Sequence, residues 1–223
     1  MASSVLFKEN TVEMAEYLSK HPEDIDIFWQ DMTPLIYEVG KGRTDVVDML
    51  IAFGANVNMS NTNGWTALHY CCYKQPNNRD ILQRLLKSNG NVSWSNWMNR
   101  TPLHYAAFTT NDVNIIHDLT LGSNPNLQNK HGDNPLMEAC CHNKNPDVIS
   151  ALINITNDIN ATNQYGNTAL YFACFYDNYS AIPSLLAARA DMNIINNNNK
   201  TAYEYADLEG KRIIDEYVKL RAN

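Results

Sequence analysis

The chain lacks the sequence signals of several common protein classes. It has 17 Lys and Arg residues against 24 Asp and Glu residues, a net charge of −7, and no basic run, so the charge pattern of a nucleic-acid-binding protein is missing. No apolar stretch approaches the length of a membrane helix, and the apolar segment after Met1 is too short for a secretory signal. We therefore expect a cytoplasmic protein that binds neither nucleic acid nor membranes.

Motifs for catalysis and metal binding are missing as well. The sequence contains no Gly-rich phosphate loop, no Ser-nucleophile elbow and no paired-carboxylate motif. Although His142 directly follows Cys140 and Cys141, none of the five cysteines forms the C-x₂-C pair that is usual in zinc sites. A Cys–His catalytic pair would also need a third, orienting group, and the sequence supplies none. We predict no enzymatic activity, no metal and no cofactor.

What the sequence does contain is one pattern repeated along its length. A Thr or Asn, followed by Pro or Ala and then by Leu or Tyr, occurs at positions 33, 66, 101, 134, 168 and 201, with steps of 33, 35, 33, 34 and 33 residues. Self-similarity at such a period is typical of a solenoid, in which each unit buries its apolar face against its neighbours. A solenoid offers a long surface rather than an enclosed pocket, which favours binding over catalysis.

Each repeat has the same local pattern, which the third repeat shows clearly. Thr101 is placed to cap a helix, and Pro102 follows at the first helical position, where its missing amide is tolerated. Ile115 and Leu119 belong to the apolar face of a second helix. Gly122 follows that helix, where a left-handed residue would end it. The pattern predicts a helix, a turn, a second helix and then an extended finger.

These repeats resemble the ankyrin repeat. The segments Thr101–Ala107 (TPLHYAA) and Gly64–His69 (GWTALH) are close to the opening of the family's consensus, and Leu50–Asn58 (LIAFGANVN) is close to its end. The resemblance implies an all-α solenoid of stacked helix-turn-helix units with β-hairpin-like fingers. It covers residues 29–220 as one continuous domain, with repeats near 29–60, 61–95, 96–128, 129–162, 163–195 and 196–220, after an N-terminal cap or half-repeat at residues 1–28.

Some residues depart from the consensus in ways that predict local structure. Asp31, Asn99 and Asn199 replace Gly at finger tips, and Asn and Asp are the residues that best tolerate a left-handed backbone. Arg189 replaces the Gly that ends a helix, so we expect a poorer cap there. Pro183 lies inside a second helix, which it should kink or delay.

Most of the cysteines are predicted to be structural. Free Cys packs as a small hydrophobe, and four cysteines fall at the small-residue positions of the first helix: Cys71, Cys72, Cys140 and Cys174. Cys141 falls one position further on, where the helix faces the groove, and is predicted to be an exposed thiol. His69 and His104 occupy the histidine of the opening motif, which the resemblance implies braces a neighbouring finger.

The candidate binding residues are those that the repeat does not fix. In ankyrin-like solenoids these are the finger tips, the residue before the opening Thr, and two positions after the small-residue pair, which together line a concave face. In this sequence they are Trp29, Met32, Trp65, Tyr73, Lys74, Trp97, Met98, Arg100, Phe108, His131, Cys141, His142, Tyr165, Phe175 and Tyr176. Aromatic and Arg residues are enriched at interface hot spots. The residues three positions earlier, on a neighbouring stripe, are predicted to be mainly structural: Tyr37, Tyr70, Tyr105, Phe172 and Tyr205.

Two functions are compatible with this pattern. The first is a protein–protein interaction module whose aromatic groove holds an extended peptide or a helix of a partner, with Lys74 and Arg100 pairing with its acidic groups. The second is a scaffold, a gankyrin-like assembly chaperone or an inhibitor that acts through charged edge surfaces, including a bacterial effector in a host cytosol or nucleus. Both require one or more protein partners, and we expect a monomer.

The resemblance also implies a candidate modification. Asn160, Asn58 and Asn193 lie in settings similar to the site of the asparaginyl hydroxylase that modifies ankyrin fingers. The alternative, which is the stronger of the two, is that this Asn braces the finger through backbone hydrogen bonds.

Overall fold

The computed structural model describes residues 5–7 and 10–222. The chain divides into two compact units, Met1–Trp97 and Met98–Asn223, and the predicted single continuous domain stays a prediction. The first unit contains α1 (Thr11–Lys20), a short 3₁₀ turn (Pro22–Asp24), α2 (Pro34–Lys41), α3 (Thr44–Ala52), α4 (Ala67–Lys74) and α5 (Arg79–Lys87). Within it, α2 packs against α3 and stacks on α4.

The second unit continues the same pattern of helix pairs. It contains α6 (Pro102–Thr109), α7 (Val113–Thr120), α8 (Pro135–His142), α9 (Pro146–Ile155), α10 (Ala169–Phe175), α11 (Ala181–Ala187), α12 (Ala202–Tyr205) and α13 (Leu208–Ala222). The first helices of successive repeats stack on one another, α6 on α8, α8 on α10 and α10 on α12. The all-α repeat fold predicted from the sequence is confirmed. None of the described helices combines the length and apolar character needed to cross a bilayer.

The fingers are tight turns organised by a buried asparagine. The side-chain oxygen of Asn61 accepts hydrogen bonds from the amides of Asn63 and Trp65, at 3.1 and 2.9 Å. The same pair of bonds recurs at Asn129, Asn163 and Asn196. Within the described ranges the fingers contain isolated β-bridges, such as that between Ser60 and Thr66, and no continuous strand. The fingers therefore reverse the chain as hairpins do, through side-chain bonds in place of a ladder.

Where the sequence departs from the repeat consensus, the backbone in most cases has the conformation that we predicted. Asp31, Asn99 and Asn199 have φ values of 64°, 56° and 58°, the left-handed conformation predicted for the finger tips. The helix α11 begins 13 residues after Thr168, whereas α3 begins 11 residues after Thr33. Both repeats have the same length, so Pro183, the third residue of α11, accompanies the delayed start that was predicted.

The end of α11 corrects one expectation. Arg189 has a φ of 68°, the conformation that Gly normally supplies at this point. The amide of Ala190 nevertheless donates to the carbonyl of Leu185 at 2.9 Å, as that of Ala55 does to Leu50 at 3.0 Å. The cap is therefore complete, and what Arg189 adds is steric strain in its own backbone rather than a missing hydrogen bond.

Buried amides connect the turns between helices to the preceding repeat. The Nδ2 group of Asn143 donates to the carbonyls of Ala107 and Thr110, at 2.9 and 2.8 Å. The Nδ2 group of Asn178 donates to the carbonyls of Cys140 and Asn143, at 3.1 and 2.8 Å. Since both side chains are buried, these bonds satisfy helix-end carbonyls that water does not reach.

Loss of the Asn178 amide should destabilise the fold. Asn178→Ala leaves two carbonyls without this donor, and an unsatisfied buried polar group costs about 1–3 kcal/mol. We expect urea denaturation to show a free energy of unfolding lower by about 2 kcal/mol. The exposed Asn157 provides the control, because surface changes usually stay within about 0.5 kcal/mol. Equal denaturation curves for Asn178→Ala and Asn157→Ala would contradict the role given to Asn178.

The strain at Arg189 predicts a stabilising substitution. A non-Gly residue in the left-handed region costs about 1–2 kcal/mol, so Arg189→Gly should raise the free energy of unfolding by about 1 kcal/mol. The reciprocal control is Gly54→Ala, at a φ of 93° with no atom within 4 Å of the added Cβ. It should lower the melting temperature through backbone strain alone. A neutral or destabilising Arg189→Gly would show that the Arg side chain stabilises the fold by some other contact.

Candidate protein-interaction surface

Aromatic rings at the ends of the first helices of the second unit form a connected row. The aromatic row consists of Phe108, His142, Tyr171, Phe175, Tyr176 and Tyr205. The ring centroid of His142 lies 4.3 Å from that of Phe108 and 5.5 Å from that of Tyr176. Phe175 lies 5.0 Å from Tyr176 and 5.6 Å from Tyr171, which in turn lies 4.8 Å from Tyr205. The row thus crosses α6, α8, α10 and α12.

The aromatic row is open to solvent. Phe175 is 48% exposed, Tyr176 is 41% exposed and His142 is exposed, while Phe108 is half-buried. These four positions were predicted, because they follow the small-residue pair of each first helix. By contrast Tyr105, on the neighbouring stripe, is buried, in agreement with its predicted structural role.

Tyr171 is a member of the row that the sequence analysis missed. It occupies the position held by His69 and His104 in earlier repeats, which the family resemblance assigns to bracing. His104 does so: its Nδ1 accepts from the amide of Thr101 at 3.1 Å, and its Nε2 lies 3.3 Å from the carbonyl of Asp133 in the next finger. The ring of Tyr171 is larger than that of His and reaches the surface from this position. The replacement of His by Tyr was therefore the sequence signal that could have identified this residue.

Two further groups of rings lie in the first unit. Trp65 lies 5.3 Å from Tyr70 and 5.5 Å from Tyr73, and Tyr73 is 41% exposed. The ammonium of Lys74 lies 4.9 Å from the centre of the Tyr73 ring, a cation–π contact. Trp29 packs against Phe7, with ring centroids 5.0 Å apart. Trp65, Tyr73 and Lys74 therefore form a second, smaller surface of the predicted kind.

The predicted finger-tip residues differ in exposure. Trp97 is 55% exposed and Tyr165 is 53% exposed, His131 is exposed, and Met32 and Met98 are half-buried. The backbone behind them is fixed from finger to finger: the carbonyls of Met98, His131 and Tyr165 accept amide bonds of 2.9, 3.2 and 3.0 Å from the next finger. Rigid backbone positions therefore hold the exposed side chains.

Arg100 is engaged within the protein. Its guanidinium lies 2.6 Å from a carboxylate oxygen of Glu138, which also accepts from Nδ2 of Asn129 at 2.8 Å. Burial raises the pKa of Glu138, and the cation of Arg100 opposes that shift. Since the Glu138 side chain is 8% exposed, this pair braces the third finger against α8. Its geometry argues against the predicted pairing of Arg100 with a partner's carboxylate.

The cysteines are packing residues in the structure. Cys71, Cys72, Cys140 and Cys174 are buried, as predicted, and burial raises the pKa of Cys71 to about 12. Cys141 is half-buried rather than exposed, and its burial together with the nearby charge of Glu138 raises its pKa above the usual range. Among the residues that the structure describes, no group of three or more His, Cys, Asp or Glu side chains is arranged to hold a metal ion.

Two of the three candidate hydroxylation sites, Asn58 and Asn160, take part in bonds between repeats. The side-chain oxygen of Asn58 accepts from the amide of Asn91, and that of Asn160 accepts from the amide of Asp191, both at 2.7 Å. The Nδ2 group of Asn193 donates to the carboxylate of Asp191 at 3.1 Å. Asn58 and Asn160 thus have the bracing role of the structural alternative, and hydroxylation of the three residues stays a prediction.

Comparison with known proteins agrees with this architecture. The family model described as ankyrin repeats (3 copies) matches residues 2–94, 54–117 and 103–196. Among solved structures, the crystal structure of the ankyrin repeat domain of Bcl-3, described as a unique member of the IkappaB protein family, aligns with a TM-score of 0.73. The alignment has 23% sequence identity and covers 96% of each chain. At this identity the likeness shows the fold alone.

The Arg100–Glu138 pair predicts a non-additive effect on stability. Removing one partner of a buried ion pair costs about 3–5 kcal/mol, because the other charge stays buried, whereas apolar replacement of both is often neutral. Arg100→Met should therefore lower the free energy of unfolding by about 3 kcal/mol, and Arg100→Met with Glu138→Leu should recover most of it. The exposed Arg212 pair is the control: Arg212→Met should leave the urea midpoint unchanged. Additive losses in the double variant would contradict this account.

Proposed function

Because the chain belongs to the ankyrin-repeat family, we propose that it is a protein–protein interaction module that holds a segment of a partner against the aromatic row. The observation that carries this proposal is the set of connected, exposed rings at positions that the fold does not need. His142 and Phe175 are the last residues of α8 and α10, and Phe108 is the last but one of α6. Each therefore lies on the turn of its helix that is furthest from the finger.

The physical chemistry of these rings suits recognition of a peptide or helix. Large aromatic side chains provide contact area with few rotatable bonds, and individual hot-spot anchors contribute about 2 kcal/mol or more to binding. Ring contacts within the row restrict the side chains before a ligand arrives, which lowers the entropy lost on binding. Phe175 and Tyr176, each exposed by more than 40%, are the strongest anchor candidates.

We propose the same role, contact with a partner protein, for the smaller surface of the first unit. There Tyr73 offers an exposed ring and Lys74 an ammonium beside it. The exposed Trp97 and Trp94 supply further apolar area on the finger that follows. In this proposal the protein acts in a cytosol as a monomer, with one or more protein partners and without a cofactor or a catalytic step.

Replacing Phe175 and Tyr176, each exposed by more than 40%, should weaken recognition. We expect peptides selected from a random phage-displayed dodecapeptide library on the wild-type protein to bind Phe175→Ala/Tyr176→Ala at least tenfold more weakly, because two anchors are lost. Dissociation constants would come from fluorescence anisotropy with labelled peptides. The melting temperature of the variant should stay within a few degrees, since both rings are largely exposed.

The matched control removes exposed apolar area outside the row. Leu121 and Leu208 are 78% and 89% exposed, so Leu121→Ala/Leu208→Ala should leave the affinity unchanged. The alternative function, as a scaffold, assembly chaperone or inhibitor that acts through charged edges, makes the opposite prediction. Binding would then survive loss of both rings and weaken steeply with added salt.

A further inference from the structure

Lys144 places a fixed positive charge beside the aromatic row. Its ammonium donates to the carbonyls of Tyr176 and Asp177, both at 3.1 Å. These carbonyls follow the end of α10, where a helix carries partial negative charge. An ammonium group has three N–H donors, so one remains after these two bonds. The side chain of Lys144 is exposed.

His142 lies within the row in a positive local environment. The charged groups that act on its imidazole are Lys144 and Arg100, which add to partial burial in lowering its pKa. Its ring lies between those of Phe108 and Tyr176 and is still exposed. Although the whole chain carries a net charge of −7, two cations, Lys144 and Arg100, act on this ring.

Two carboxylates of the same region, those of Asp133 and Glu138, are bonded within the protein. Asp133 accepts from Nδ2 of Asn163 at 2.7 Å, and Glu138 forms the buried pair with Arg100. Burial raises the pKa of the Tyr176 phenol, and both carboxylates add to that shift. The side chain of Asp177 is exposed, and its backbone carbonyl accepts from Lys144. Bonds within the protein thus occupy Asp133 and Glu138, while His142 and Lys144 are exposed.

We propose that His142 and Lys144 form a carboxylate-binding position within the aromatic row, so that the partner segment is acidic, with a Glu or Asp beside its apolar anchors. This inference rests on the proposed function and names its partner class by charge complementarity. Lys144 supplies its third N–H donor, and protonated His142 supplies a second cation. A ligand carboxylate remains ionised above a pH of about 4.3. Because burial, Lys144 and Arg100 lower the pKa of His142, its protonation strengthens binding as the pH falls below about 6.5.

The first test compares the peptides selected by variants of the full chain. A random phage-displayed dodecapeptide library would be selected at pH 6 on the wild-type protein, Lys144→Met, Lys144→Arg and His142→Phe. We expect the wild-type and Lys144→Arg pools to be enriched in Asp and Glu, and the Lys144→Met pool to lose that enrichment. Lys144→Arg keeps the charge, so it separates anion binding from a role confined to the end of α10. Thermal melting verifies that each variant is folded.

The second test measures affinity against pH for one selected peptide and its Glu→Gln counterpart. For the wild type, the dissociation constant of the acidic peptide should fall about three- to tenfold between pH 8 and pH 5.5, since a shift of one pKa unit on binding corresponds to tenfold. His142→Phe keeps the aromatic ring and removes the titration, so its profile should be flat. The Gln peptide should bind the wild type more weakly and without this pH dependence.

The outcomes separate this inference from the proposed function. Equal affinity for the Glu and Gln peptides, or equal acidic enrichment with Lys144→Met, would overturn the carboxylate-binding position. If the selected peptides nevertheless bind Phe175→Ala/Tyr176→Ala at least tenfold more weakly than the wild type, the proposed function stands without the carboxylate-binding position. If no selected peptide depends on those two rings, the proposed function fails.

Discussion

Hydrogen bonds between buried asparagine side chains and the backbone, which recur in several repeats, are the interaction on which the rest of the structure depends. A solenoid built from short helices exposes many helix ends and turns, and each leaves backbone groups that need partners. Asn129, Asn163 and Asn196 close the fingers from within. Asn143 and Asn178 satisfy carbonyls of the preceding repeat. The asparagine content, which in composition alone reads as a bias, is thus a structural requirement.

Because these hydrogen bonds and the buried core use only some of the side chains in each repeat, the others are not needed for the fold. On the first helix of each repeat, the opening Thr, the Leu and the small residues are buried, as Thr101, Leu103 and Ala106 show. The side chains that follow these small residues, at the end of the same helix, are half-buried or exposed. Phe108, His142 and Phe175 lie there, and stacking of α6, α8 and α10 brings them into one row. The position of the proposed binding surface therefore follows from the fold's periodicity, while its chemistry is set by residues that vary between repeats.

The charged side chains also divide into those that stabilise the fold and those that remain at the surface. Buried or half-buried pairs such as Arg100 with Glu138, and Arg43 with Glu38, hold structure together and are unavailable to a ligand. Lys144 satisfies two carbonyls and keeps one donor, so it contributes to the end of α10 and to the surface at once. An acidic protein can thus present a positive group at one position, because two nearby carboxylates, those of Asp133 and Glu138, are bonded within the protein.

The sequence by itself determined the repeat, its helices, the left-handed finger tips at Asp31 and Asn99 and the burial of Cys71 and Cys140, because these depend on local backbone preferences and a fixed period. It also located Phe108, Phe175 and Tyr176 by their place in the repeat. Only the tertiary structure decided which of the candidate residues are engaged internally, as Arg100 is with Glu138. It likewise placed Tyr171 in the row and Lys144 beside it. Such contacts join residues about one repeat apart, and their geometry is set by the stacking of helices rather than by neighbours in the chain.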